Sequence, residues 1–164
     1  MKPNYICIGV QKGGTNSLAK YLNYHPEIYM AHREGKWKNE RHFFDRPLSE
    51  GELTNADIKE YEGSFVSNKL IIGEKTPSYC YLKYAMDRIY NYDKNIKLII
   101  LLREPISRAF SQYNMRYEAN IETFTDERIL DDLKKQENLK LSGLESNGDP
   151  GGRNIIRGFY DEIL

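Results

Sequence analysis

Residues 9–17 read Gly-Val-Gln-Lys-Gly-Gly-Thr-Asn-Ser and follow the apolar run Tyr5-Ile6-Cys7-Ile8. A hydrophobic strand, a glycine-rich turn and then the helical pattern Leu18-Ala19-Lys20-Tyr21-Leu22 is the arrangement of a phosphate cradle, although on this segment alone it equally fits a plain strand-to-helix turn. Glycine lets backbone N–H groups converge, and the new helix adds the positive end of its dipole. Triphosphate-binding loops of the form G-x-x-x-x-G-K-[ST] place a lysine directly after the second glycine. Gly9 and Gly14 have that separation, but Thr15 follows Gly14 and the lysine stands earlier, at Lys12. The cation therefore meets a different part of the ligand, which speaks against an ordinary ATPase or GTPase.

A second segment, residues 97–113, reads Lys-Leu-Ile-Ile-Leu-Leu-Arg-Glu-Pro-Ile-Ser-Arg-Ala-Phe-Ser-Gln-Tyr. The run 98–102 has the pattern of a strand buried on both faces, as in a parallel sheet. Arg103 then stands at the strand's carboxyl end, where open α/β sheets place their ligands. Pro105 suits the first turn of a following helix, and Ser107 and Ser111, four apart, share one face of it. An arginine at a strand end and a serine on the next helix can converge on a second phosphate.

Together, Gly-x-x-Lys-Gly-Gly-Thr-x-Ser and Leu-Leu-Arg-x-Pro-x-x-Arg-x-x-Ser-x-Tyr resemble the sulfotransferases that use 3′-phosphoadenosine 5′-phosphosulfate (PAPS). The resemblance is greatest to the carbohydrate branch that includes the heparan sulfate enzymes. It implies that Lys12, Gly13, Gly14, Thr15, Asn16 and Ser17 hold the 5′-phosphosulfate end, and that Arg103 and Ser111 hold the 3′-phosphate. Two further segments match the same family in the same order. Glu40-Arg41-His42-Phe43-Phe44-Asp45 resembles its Glu-x-His-Phe-Phe-Asp element, whose glutamate is the proposed general base. Gly73-Glu74-Lys75-Thr76-Pro77-Ser78-Tyr79 resembles its Glu-Lys-Thr-Pro-x-Tyr element, whose lysine lies near the transferred group. The implied catalytic set is Glu40 as base, Lys12 and Lys75 as charge stabilisers, and His42 orienting Glu40 or touching the acceptor. PAPS is the implied co-substrate, and no metal is expected, because side-chain cations can stabilise a sulfuryl group of modest charge.

Read without that motif, Glu40 is a solvated loop charge among Glu34, Lys36, Lys38 and Arg41. His42 beside Phe43 and Phe44 would then be a structural histidine. Most of the thirteen tyrosines, Tyr21, Tyr24 and Tyr90 among them, read as amphipathic packing residues. Two competing functions stay open: a non-catalytic nucleotide-binding remnant of the same fold, and a nucleoside triphosphate-dependent P-loop kinase. The kinase would need its lysine directly after Gly14.

Composition narrows the field further. Net charge is zero and pI about 6.8, so no global basic field argues for a nucleic-acid partner. No apolar run approaches a membrane span, and no signal-peptide pattern follows Met1. Cys7 and Cys80 form neither a metal-ligand cluster nor a disulfide framework, so a reduced, cytoplasmic setting is expected. The expected partner is a carbohydrate acceptor. Arg33, Trp37, Arg41 and Arg46 in the polar segment 31–67 suit an anionic sugar, but its identity rests on the resemblance.

The elements that must position these residues alternate. Strands are expected at 4–10, 27–30, 69–73 and 97–102, with helices at 16–24, 79–92 and 105–118. A charged helical stretch follows at 122–141 and a loop at 142–153. That order predicts an α/β fold, P-loop-like, three-layer α/β/α with a mostly parallel central sheet. At 164 residues the chain reads as a single domain, 1–164. Members of the family continue into further helices and a basic loop, so the resemblance implies a chain lacking that C-terminal portion.

Overall fold

The computed structural model describes residues 1–31, 40–48 and 51–118. It comprises two compact units, Met1–Leu102 and Arg103–Leu164. The first unit holds β1 (Tyr5–Gly9), α1 (Thr15–Tyr24), β2 (Ile28–Ala31), α2 (Asn55–Gly63) and β3 (Ile71–Lys75). A 3-10 turn at Tyr79–Tyr81, helix α3 (Lys83–Tyr92) and strand β4 (Lys97–Ile100) complete it. The described part of the second unit is helix α4 (Pro105–Glu118) with its lead-in.

The four strands form one sheet in the order β2-β3-β1-β4, and every pairing is parallel. All five residues of β1 are buried. Because side chains alternate along a strand, β1 feeds two cores. Ile6 and Ile8 pack with Phe43, Phe44, Tyr61 and the α3 residues Ala85 and Ile89. Tyr5 packs on the other side with Ala19 of α1 and with Met30. Each large apolar side chain so buried is worth roughly 1.5–3 kcal/mol. Helices on both faces of a parallel sheet make the three-layer α/β architecture that the element order predicts.

Several expectations are corrected. β4 is not buried on both faces: Ile99 packs against the Tyr5 cluster, but Leu98 and Ile100 are 45% and 40% exposed. An apolar run marks a strand without showing what covers it. The helix expected at 79–92 is broken by Leu82, whose backbone is extended. Lys75 is the last residue of β3 rather than a residue of the turn after it. The polar segment contains α2, started by a capping box in which Thr54 and Asp57 each accept the other's backbone N–H. Tyr21, Tyr24 and Tyr90 are 69%, 74% and 58% exposed, so they are not packing residues of the core. The stretches expected at 122–141 and 142–153 lie outside the described residues. No helix among the described residues is long and apolar enough to cross a membrane.

The loop that carries Glu40 and His42 has no regular structure of its own, so its backbone groups need outside partners. Arg88 on α3, only 7% exposed, supplies one set. Its guanidinium donates to the carbonyls of Phe44 (3.1 Å), Arg46 (2.7 Å) and Gly51 (3.0 Å). Truncation would leave buried acceptors unpaired, a cost of about 1–3 kcal/mol. Arg88→Met is therefore expected to lower the unfolding free energy by about that amount in urea titration. An unchanged midpoint would show that these carbonyls find other partners.

Candidate functional site

The turn after β1 is built as a phosphate cradle requires. Gly13 donates its N–H to the Val10 carbonyl at 2.9 Å, and a Cβ there would lie 2.5 Å from the Leu101 carbonyl oxygen. Gly14 takes φ of 105°, a left-handed conformation that glycine adopts without steric cost, and stands at the N-cap of α1. No side chain caps that helix and its first turn holds no acidic residue. Its leading N–H groups and dipole therefore favour an anion. Thr15 is buried, whereas Asn16 and Ser17 are exposed. Lys12, partly buried, is held at φ of 66°, a region that costs a non-glycine residue roughly 1–2 kcal/mol.

Lys75 reaches the start of α1 from the end of β3. Its ammonium donates to Asn16 Oδ1 and to Glu40 Oε1, the latter at 3.2 Å. The other Glu40 oxygen accepts from His42 Nε2 at 3.1 Å. His42 Nδ1 in turn faces Asp45 Oδ2 at 2.8 Å, and the Ser78 hydroxyl donates to that same oxygen. Asn16, Lys75, Glu40, His42 and Asp45 thus stand in a row whose last four members alternate in charge. Two carboxylates on opposite ring nitrogens require both nitrogens to carry hydrogens, so His42 is an imidazolium. His42 also sits at φ of 49°, so the site includes a second strained residue besides Lys12.

Electrostatics follow from this arrangement. Burial by itself would lower the His42 pKa, but the carboxylates of Asp45 and Glu40 outweigh it and raise the pKa to about 10. Burial likewise works to raise Glu40, and the His42 hydrogen bond and the Lys75 charge reverse it, leaving the carboxyl below its usual range. On the far side of β3, Glu74 is completely buried and its carboxyl is pushed upward, against the pull of hydroxyl donors from Thr76, Tyr61 and Tyr79.

Of the residues named from sequence, the structure joins Asn16, Glu40, His42 and Lys75 by direct hydrogen bonds. Glu40 is not a solvated loop charge: its side chain is 22% exposed and paired on both oxygens. Lys12, Gly13, Gly14, Thr15 and Ser17 form the turn and the first turn of α1. Arg103 and Ser111 belong to the second unit. There Pro105 opens α4 as expected, and Glu104 caps it by accepting the N–H groups of Ile106 and Ser107. Sequence reasoning gave no role to Asp45 or Ser78. Asp45 was within reach, three residues past His42 in the same motif, but nothing local marks Ser78.

The pH dependence has a defined sign. The His42 pKa rises from 6.5 to about 10 on folding, so its contribution is complete below about 6.5 and lost as pH climbs through about 10. Glu40 is lowered from 4.5, so its contribution is present above that value and lost as pH falls through the folded-state value. The stability difference between the protein and His42→Asn should therefore be largest near pH 5–6 and shrink towards pH 10. A difference independent of pH over that range would contradict an imidazolium held between two carboxylates.

No family model matches the chain. It is 37% identical over 116 residues to heparan sulfate glucosamine 3-O-sulfotransferase 5 of Homo sapiens, covering 71% of this chain and 31% of that protein. It is 38% identical over 113 residues to membrane-associated sulfotransferase kil1 of Dictyostelium discoideum, covering 68% of this chain and 22% of that protein. The chain thus spans about a third or less of the length of these curated relatives. In structure it resembles a sulfotransferase from Alicyclobacillus acidocaldarius, with a TM-score of 0.64 and 28% identity over 90% of this chain and 62% of that one. The sequence motifs, the parallel sheet with its glycine-rich turn and these similarities agree: the chain belongs to the family of PAPS-dependent sulfotransferases.

Proposed function

We propose that this protein transfers the sulfuryl group of PAPS to a hydroxyl or amine of a carbohydrate, releasing adenosine 3′,5′-bisphosphate. The observation that carries the reading is the row Lys75, Glu40, His42, in which a carboxylate is fixed on both oxygens beside the start of α1. The turn suits the 5′-phosphosulfate end: an uncapped helix start, no acidic residue in the first turn, and Lys12 alongside. By family resemblance Arg103 and Ser111 take the 3′-phosphate. The name of the human relative, a heparan sulfate glucosamine sulfotransferase, supports a carbohydrate acceptor.

In the reaction the acceptor oxygen or nitrogen bonds to sulfur as the bond from sulfur to the 5′-phosphate oxygen breaks. The electron pair leaves on that phosphate oxygen, and the acceptor's proton passes to Glu40. Such a loose, in-line displacement depends on positioning and charge. Lys12 and Lys75 stabilise the leaving oxygen and the sulfuryl group, at roughly 2.7–4 kcal/mol per well-aimed donor. A carboxylate held below its usual range is a weak base. Proton transfer to Glu40 therefore comes late, when bonding to sulfur has made the acceptor acidic.

Glu40→Gln should bind adenosine 3′,5′-bisphosphate as the unmodified protein does, while transfer from radiolabelled PAPS to a heparan-type polysaccharide falls by about 10²–10⁴-fold. Full activity in this variant would remove Glu40 as the base. Failure of the unmodified protein to label any polysaccharide, despite binding the nucleotide, would remove the carbohydrate acceptor.

A further inference from the structure

Four consecutive backbone N–H groups of the Glu40–Asp45 loop end on two side-chain hydroxyls. Arg41 and His42 donate to Thr76 Oγ1 at 3.0 and 3.3 Å, and Phe43 and Phe44 donate to Tyr79 Oη at 3.0 and 3.3 Å. A hydroxyl has one proton and its lone pairs to offer. With two N–H groups pointed at each oxygen, the hydroxyl proton has to leave in another direction. Both protons go to one group. Thr76 donates to Glu74 Oε2 at 2.7 Å, Tyr79 donates to Glu74 Oε1 at 3.0 Å, and Tyr61 adds a third donor at 2.9 Å. Glu74, Thr76 and Tyr79 are all 0% exposed, so no solvent can substitute for a missing partner.

We propose that Glu74 is the positioning residue of this site: as an acceptor it fixes the direction of the Thr76 and Tyr79 hydroxyls, and they hold the backbone carrying Glu40 and His42. Strand alternation makes this possible, because neighbouring residues of β3 face opposite ways. Lys75 grips the Glu40 side chain. Its neighbour Glu74 grips, through the two hydroxyls, the main chain on which that side chain stands. Held at four successive amides, His42 keeps its left-handed backbone and the spacing from Glu40 to Asp45 is set. Glu74 itself touches none of the groups assigned to the reaction, so it acts through the loop. The consequence for catalysis rests on the sulfotransferase reading; the way the loop is held does not.

Glu74→Gln keeps the shape but turns an N–H towards a hydroxyl already saturated with donors. Amide exchange at residues 41–44 should then accelerate at least about tenfold relative to the amides of β1, the counterpart of a lost buried hydrogen bond. Thr76→Val should release Arg41 and His42 while Phe43 and Phe44 stay protected, and Tyr79→Phe should do the reverse. Adding Thr76→Val to Glu74→Gln should bring little further change at residues 41–42, since both act along one path. In transfer assays kcat should fall about tenfold or more, with the KM for PAPS nearly unchanged. Unchanged protection at 41–44 in a folded Glu74→Gln protein would overturn the proposal. So would loosened amides with an unchanged kcat, or, if that variant does not fold, failure of Thr76→Val and Tyr79→Phe to release their respective pairs. If the unmodified protein transfers nothing, the sulfotransferase reading falls alone, because the exchange measurements still decide how the loop is held.

Discussion

Lys75 sits at the end of a central strand with its side chain only 1% exposed, and a buried ammonium must be paired. Removing such a charge from water costs several kcal/mol, which its partners have to offset. Those partners are Glu40 and Asn16, from two different segments. One requirement of solvation thus draws together the start of α1, the loop after β2 and the end of β3. Glu40 then needs the orientation that lets it serve Lys75, and His42 and Asp45 complete the alternation of charge. The site is arranged around this buried cation.

The support beneath the row explains how an irregular loop keeps a fixed shape. Arg88 takes its carbonyls from α3, and the Thr76 and Tyr79 hydroxyls take its amides from the segment that follows β3. Phe43 and Phe44 anchor it in the core: Phe43 stacks on Tyr61 at 4.2 Å between centroids, and Phe44 meets Tyr79 edge-on at 5.6 Å. Aromatic burial, amide capture and carbonyl capture act on the same few residues. Left-handed backbone at His42, a cost of roughly 1–3 kcal/mol, persists because these contacts over-determine it.

Local pattern made much of this legible. The strand, glycine turn and helix over residues 5–24 are consecutive, so spacing alone marks them. Glu40, His42 and Lys75 were read from short motifs and do converge. The misses have two physical origins. Helix α2 was signalled by Thr54 and Asp57 three apart, but its weakly apolar sequence reads as loop. Glu74, Tyr61 and Arg88 carry no periodic signal, because the Tyr61–Glu74 and Arg88–Phe44 contacts span 13 and 44 residues and only the folded chain brings them together. An arginine in a charged helix looks solvated until three carbonyls surround it. Exposure was the other weakness: the apolar pattern of β4 and the tyrosines of α1 overstated how much is covered.

The most direct test of this account is calorimetric titration of adenosine 3′,5′-bisphosphate into the 164-residue chain, with AMP and ATP plus magnesium in parallel. The account predicts binding that favours the 3′,5′-bisphosphate over both and weakens when Lys12 is replaced by alanine. Preference for ATP with magnesium, or no binding of the bisphosphate by folded protein, would contradict it.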